Sequence, residues 1–125
     1  MKKLFVLLFL VSIISESYAI DCPKDENETL TMITESGICY DAAEIARTCA
    51  NTTVTEIIYS ETASDLCSDG FREQMTPETK KAYQTLENLC DKNASRATGV
   101  YYQALLAMCK LDIDVLMNSL HNTAQ

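Results

Sequence analysis

The sequence predicts an all-α fold, a small bundle of about five helices stapled by three disulfides. The chain of 125 residues contains only three glycines and two prolines, fewer than turn-rich all-β folds need. Its apolar residues recur with helical spacing in several segments. It also contains six cysteines, and an even number of cysteines in a small secreted chain is typical of a disulfide framework.

The first nineteen residues have the three parts of a secretory signal peptide. A basic start, Met-Lys-Lys, precedes an apolar run at 4–14, and Ser17 and Ala19 are the small residues that signal peptidase requires. The alternative is an uncleaved membrane anchor, but such a helix needs about 20 apolar residues. We therefore expect cleavage after Ala19, which leaves one secreted helical domain with six cysteines at 20–125.

The charge of this domain limits its partners. Residues 20–125 carry 8 basic and 17 acidic side chains, a net charge of −9. A field of that sign repels nucleic-acid phosphates and anionic lipid. We therefore expect no nucleic-acid binding and no membrane insertion, and the sequence predicts no cofactor.

Capping residues predict three of the helices. A capping box at 41–44 indicates a short helix to about Cys49, and another at 53–56 indicates a helix to Ser68 followed by Gly70 as its C′ residue. A short helix at 28–36 should end at Gly37. The segment 52–60 is rich in β-branched residues, so a strand remains the alternative there.

The last two helices have the strongest signals. Thr76, Pro77 and Glu78 supply a cap, a proline at the first helical position and an acid in the first turn. The apolar face that follows consists of Ala82, Tyr83, Leu86, Leu89 and Cys90. The longest helix should run from about Ser95 to Ser119 and lie centrally. Its apolar stripe, spaced by three and four, consists of Tyr102, Leu106, Cys109, Ile113, Leu116 and Leu120.

All six cysteines lie in the predicted mature domain: Cys22, Cys39, Cys49, Cys67, Cys90 and Cys109. We expect three disulfides, with free buried thiols as the alternative. No two cysteines are close enough in sequence to begin a zinc site, so no metal site is predicted. A helix from Cys39 to Cys49 would separate these two by about 15 Å, too far for a bond. Excluding that pair leaves twelve of the fifteen possible connectivities open.

Three sequons accompany the signal peptide and predict a glycoprotein. They begin at Asn27, Asn51 and Asn93. Each lies in a segment where we expect a loop or a helix end, so all three should be accessible to solvent.

The sequence predicts no catalytic residues. The single histidine, His121, is close to the C-terminus, where we expect a solvated tail, and no second histidine can complete a pair. Asp65 and Asp69 share a helix face but do not have the spacing of a calcium loop. Asp112 and Asp114, two apart on a helix, point in different directions and cannot share a site without a third element. We interpret all four as solvated helix surface.

Tyrosines and methionines are the notable apolar content, and they fill cores as well as ligand cavities and interfaces. They are Tyr40, Tyr59, Tyr83, Tyr101, Tyr102, Met32, Met75, Met108 and Met117.

Two functions follow. The first is a secreted, non-catalytic protein that binds an extracellular protein or receptor, as an effector or signal does. The alternative is a carrier of a small hydrophobic ligand in a cavity between helices. The first is favoured because so short a chain needs its apolar residues for the core.

Overall fold

A computed structural model describes residues 19–125, and it confirms the all-α fold. Its five α-helices are α1 (Glu26–Glu35), α2 (Cys39–Cys49), α3 (Thr53–Asp69), α4 (Pro77–Ala94) and α5 (Val100–Thr123), with a short 3-10 helix at Arg72–Gln74 between α3 and α4. The segment 53–60 belongs to α3 and Thr52 is its cap, so the strand alternative is wrong. The predicted signal peptide lies outside the described residues except for Ala19.

Local cap chemistry accounts for the start of α1 and of α4. The Asp25 carboxylate accepts hydrogen bonds from the backbone N–H groups of Asn27 and Glu28. Thr76 caps α4 by accepting from the backbone N–H of Thr79, and Pro77 follows as the first helical residue. The Asp25 and Thr76 side chains thus satisfy free N–H groups in the first turns of α1 and α4. The predicted start of α4 is confirmed.

Two of the predicted capping boxes are wrong in position. Helix α2 begins at Cys39, with Ile38 in extended conformation as its cap, so Asp41 lies inside the first turn. Helix α3 is capped by Thr52, whose partner is Thr55 rather than Glu56.

The glycines of the short connections behave differently from one another. Gly37 has a φ of 67° and ends the turn after α1 as expected. Gly70 has right-handed helical backbone and is not the left-handed C′ residue that we predicted. The chain therefore continues past α3 through the 3-10 helix.

Helix α5 begins later and ends later than predicted. Ser95 caps the end of α4, and Gly99, with a φ of 62°, turns the chain before α5 starts. The central position is confirmed, because α5 contacts α2, α3 and α4.

The buried face of α5 overlaps the predicted stripe only in part: Ile113 is buried, and Tyr102, Leu106 and Cys109 are half-buried. Its buried residues are Ala104, Ala107, Leu111, Ile113, Asp114 and Met117. Leu116 and Leu120, which the stripe places in the core, are 50% and 55% exposed. Two alanines and an aspartate lie on the side that packs against α3 and α4, so the face that is most apolar in sequence is turned partly outward.

The core has two parts on either side of α5. The first is formed by α1, α2 and α3 and includes Ile33, Tyr59 and Leu111. The second is formed by α4, α5 and the segment after α3, where Phe71 packs edge-on against Tyr83 with ring centroids 5.9 Å apart.

Three disulfides connect the helices: Cys22–Cys49, Cys39–Cys67 and Cys90–Cys109. The expectation of three bonds is confirmed, and so is the exclusion of a Cys39–Cys49 pair. The first bond fixes the N-terminal segment to the end of α2, the second joins α2 to α3, and the third joins α4 to α5. Disulfides of this number are typical of small domains that fold in an oxidising compartment. Within residues 19–125, no helix is long and apolar enough to cross a membrane.

Candidate functional site

A buried carboxylate lies where α3, α4 and α5 meet. Asp114 on α5 is only 1% exposed, so its interpretation as solvated surface is wrong. The hydroxyl of Tyr83 on α4 donates to Asp114 Oδ1 at 2.6 Å, and the hydroxyl of Ser64 on α3 donates to Oδ2. One carboxylate therefore connects three helices, and each of its oxygens has a partner.

The chemistry of this cluster is that of a structural clamp. Burial, followed by the hydrogen bond to Asp114, raises the pKa of Tyr83 to about 12. The phenol therefore stays protonated at physiological pH and acts as a hydrogen-bond donor, not as a base. Ser64 shares the same carboxylate, since its hydroxyl donates to Asp114 Oδ2.

A cleft of about 500 Å³ opens above the cluster, between α3, α4 and α5. Its lining carries both signs of charge: the cations Arg72 and Lys110, and the carboxylates of Glu61, Asp65 and Glu87. Only a few apolar side chains, Leu106 among them, reach it. The lining suits a polar occupant better than a hydrophobic one.

The other carboxylates agree with the sequence analysis. Asp65 and Asp69 are exposed. Asp112 is exposed as well, and it accepts a hydrogen bond of 2.5 Å from Arg47 of α2. His121 is not in a frayed tail, because α5 continues through Thr123, and its ring is half-buried. No group of three or more metal-ligating side chains occurs within the described range 19–125.

The most distinctive surface surrounds Tyr40 in the first turn of α2. Tyr40 is 61% exposed and separates two apolar grooves. One groove, of about 720 Å³, runs between the N-terminal segment, α1 and α2, and Ile20, Met32 and Ile45 contribute to its floor.

The second groove, of about 600 Å³, lies between the start of α2 and the last turns of α5. Its apolar walls are Ile38, Val115 and Leu116, opposite Tyr40. Ile38 and Leu116 are 58% and 50% exposed. We call the two grooves together the Tyr40 surface.

All charged side chains that line the Tyr40 surface are acidic. They are Asp21, Glu35, Asp41, Glu44 and Asp112. Arg47 lines neither groove, but it forms salt bridges with two of these carboxylates, Glu44 at 3.3 Å and Asp112 at 2.5 Å. The surface therefore combines an apolar floor with a negative border.

A second exposed apolar face lies on the first half of α5. Tyr101, Leu105 and Met108 are 65%, 47% and 40% exposed, and they recur at the spacing of one helix face. The neighbouring Tyr102 hydroxyl donates to Asp91, near the end of α4. The end of α4 that carries the sequon at Asn93 is therefore next to the first half of α5.

The tyrosines and methionines thus divide between core and surface. Tyr59, Tyr83 and Met117 are buried; Met32, Met75 and Tyr102 are half-buried; Tyr40, Tyr101 and Met108 are exposed. Helical periodicity predicts core positions for Tyr83, Tyr102 and Met108; this is right for Tyr83, partly right for Tyr102 and wrong for Met108. Neither Ile38 nor the acidic rim was predicted. The turn between α1 and α2 determines which residues surround Tyr40, and a turn has no hydrophobic periodicity from which it could be predicted.

The fold and its surfaces define a small, acidic, disulfide-stapled helical domain with exposed apolar grooves. Comparisons of the chain with models of protein families, with curated proteins and with solved structures found no match. The chemistry of the exposed surface is therefore what bears on the function of the domain.

Proposed function

We propose that the protein is a secreted, non-catalytic interaction protein, which binds another macromolecule outside the cell through the Tyr40 surface. The observation that carries the proposal is the pair of adjoining exposed apolar grooves around Tyr40, whose charged border is entirely acidic. Contiguous apolar surface with a polar rim is typical of protein interaction sites. An exposed tyrosine at its centre is the kind of side chain that dominates binding energy.

The positions of the sequons favour the Tyr40 surface over the α5 face. The Cys22–Cys49 bond brings the start of α1 next to the end of α2, so Asn27 and Asn51 lie at that end of the α1–α2 pair. Tyr40 is at the opposite end of α2, about 15 Å away along the helix axis. Asn93 is on α4, which does not contact α1 or α2. Glycans on these three exposed asparagines would leave the Tyr40 surface open.

The non-catalytic part of the proposal is supported by the state of the buried cluster. Asp114 is occupied by two hydroxyl donors, and the pKa of Tyr83 is far above neutral. Catalytic acids and bases have pKa values near the working pH.

Replacing Tyr40 and Leu116 together by Ser should abolish capture of the extracellular partner. Both side chains are exposed, so the melting temperature should stay within a few degrees of the wild-type value. The measurement is affinity capture from extracellular fluid with immobilised protein, quantified by mass spectrometry. The matched control replaces Tyr101 and Met108 by Ser, which removes a similar apolar area from the α5 face and should leave capture intact. Equal capture by all three proteins would contradict the assignment of the surface.

The carrier function remains the second candidate, because the cleft between α3, α4 and α5 has the volume of a ligand site and Leu106 borders it. A carrier would bind a fluorescent fatty-acid analogue saturably, one to one, at micromolar concentration or below. Displacement of that probe by natural lipids would make the carrier the better description. The charged lining of the cleft is the reason why we place this function second.

A further inference from the structure

We infer that the partner presents a basic amphipathic segment, whose apolar residues enter the two grooves while its Lys and Arg side chains meet the acidic rim. The inference rests on the proposed function, since it specifies what the Tyr40 surface binds. It follows from the shape of the apolar floor, the charge of the border and the charge of the whole domain.

The apolar floor favours an elongated segment with anchors on one side. Tyr40 stands between the grooves and lines both, so one ligand that crosses it contacts Met32 and Ile45 on one side and Ile38 and Leu116 on the other. An amphipathic helix places its apolar residues in such a line at i, i+3, i+4 and i+7.

The acidic residues that border the grooves favour a positively charged segment. Asp21, Glu35 and Asp41 have no cationic partner within hydrogen-bonding distance among the described residues. Arg47 only partly offsets Glu44 and Asp112. Cleavage after Ala19 would add the amino group of Ile20 at one edge and still leave an excess of negative charge. Lysines or arginines flanking the apolar anchors would complement this border and speed association.

The same charges disfavour other occupants. A second copy of this chain would bring one acidic rim against another and carry the same net charge of −9. Like charges that face each other across an interface are repulsive. An anionic membrane is repelled for the same reason.

The test uses a synthetic 18-residue amphipathic peptide made of Leu and Lys, labelled with a fluorophore and titrated with the glycosylated, oxidised protein. We expect saturable binding that weakens as salt concentration rises. A peptide of the same pattern with Glu in place of Lys should not bind at the same protein concentration. The variant Tyr40→Ser with Leu116→Ser should bind the Lys peptide far more weakly than wild type. It keeps the acidic border but loses two apolar side chains that the leucines of the peptide would contact.

A second pair of variants changes the charge of the protein and leaves the apolar residues of the grooves unchanged. The variant Glu35→Gln with Asp41→Asn should bind the Lys peptide about fivefold more weakly, since two exposed carboxylates are lost. Its control, Glu61→Gln with Asp65→Asn, removes the same charge from α3 on the cleft side and should bind as wild type does.

Equal binding of the Lys and Glu peptides, or equal weakening by the two charge variants, would overturn the inference. The capture experiment keeps this failure separate from failure of the proposed function. Capture that is lost with Tyr40→Ser and Leu116→Ser but unchanged in the Glu35→Gln, Asp41→Asn variant would retain the interaction surface and reject a basic partner.

Discussion

Replacing Asp114 by Ala should lower the free energy of unfolding by about 3 kcal/mol, because it leaves the buried hydroxyl of Tyr83 and the half-buried hydroxyl of Ser64 without their acceptor. Each unsatisfied buried polar group costs about 1–3 kcal/mol, and the removed side chain also leaves a small cavity. In a domain of this size the melting temperature should fall by about 15 °C. Thermal unfolding followed by circular dichroism measures the shift.

The control for this substitution is two residues away. Asp112→Ala removes an exposed carboxylate that is paired with Arg47, and such surface pairs contribute about 0–1 kcal/mol. Its melting temperature should therefore stay close to that of the wild type. A similar small effect for both substitutions would contradict the clamp that we assign to Asp114.

Reduction of the three disulfides should unfold the domain at ambient temperature. Each bond contributes about 2–4 kcal/mol, and together they match the whole stability of a typical small domain, about 5–15 kcal/mol. The helical far-UV circular dichroism signal of the oxidised protein should largely disappear on reduction without denaturant. An unchanged melting curve in reductant would mean that the bonds do not hold the fold.

Single bonds can be compared by paired Cys→Ala substitutions. Replacing Cys39 and Cys67 by Ala should destabilise the fold more than replacing Cys90 and Cys109 by Ala. The first pair is buried at both ends and closes the longer loop, 28 residues against 19. It also joins helices of the first core, where α2 has no side-chain cap of its own.

The parts of the fold that sequence predicts well are those with local causes. The cap at Thr76, the turn at Gly37 and the number of helices follow from side chains that act on neighbouring backbone. The start of α2 does not, because Ile38 has no capping side chain and Cys39 is held by its bond to Cys67 on α3. Spacing alone likewise excluded one disulfide pair, but the actual pairing depends on how the helices pack.

The candidate site was harder to predict for the same reason. Asp114 has the same sequence signature as Asp112, and only the packing of α3 and α4 makes one buried and the other exposed. Leu116 belongs to an apolar stripe in the sequence, yet it faces the groove beside Tyr40. The Tyr40 surface is assembled from α1, α2 and α5 together, so no single segment predicts it.

Photo-crosslinking from position 40 tests whether the Tyr40 surface binds a partner protein. The natural Tyr40 side chain is exposed, so a photoreactive phenylalanine analogue at this position should be tolerated without loss of the fold. After irradiation in extracellular fluid, we predict a discrete covalent adduct with a protein, whose linked peptide is basic and amphipathic. The same analogue at Thr85, on the exposed side of α4, should give no such adduct. If position 40 forms no protein adduct, or the same adducts as position 85, the Tyr40 surface is not the binding site and the account is contradicted.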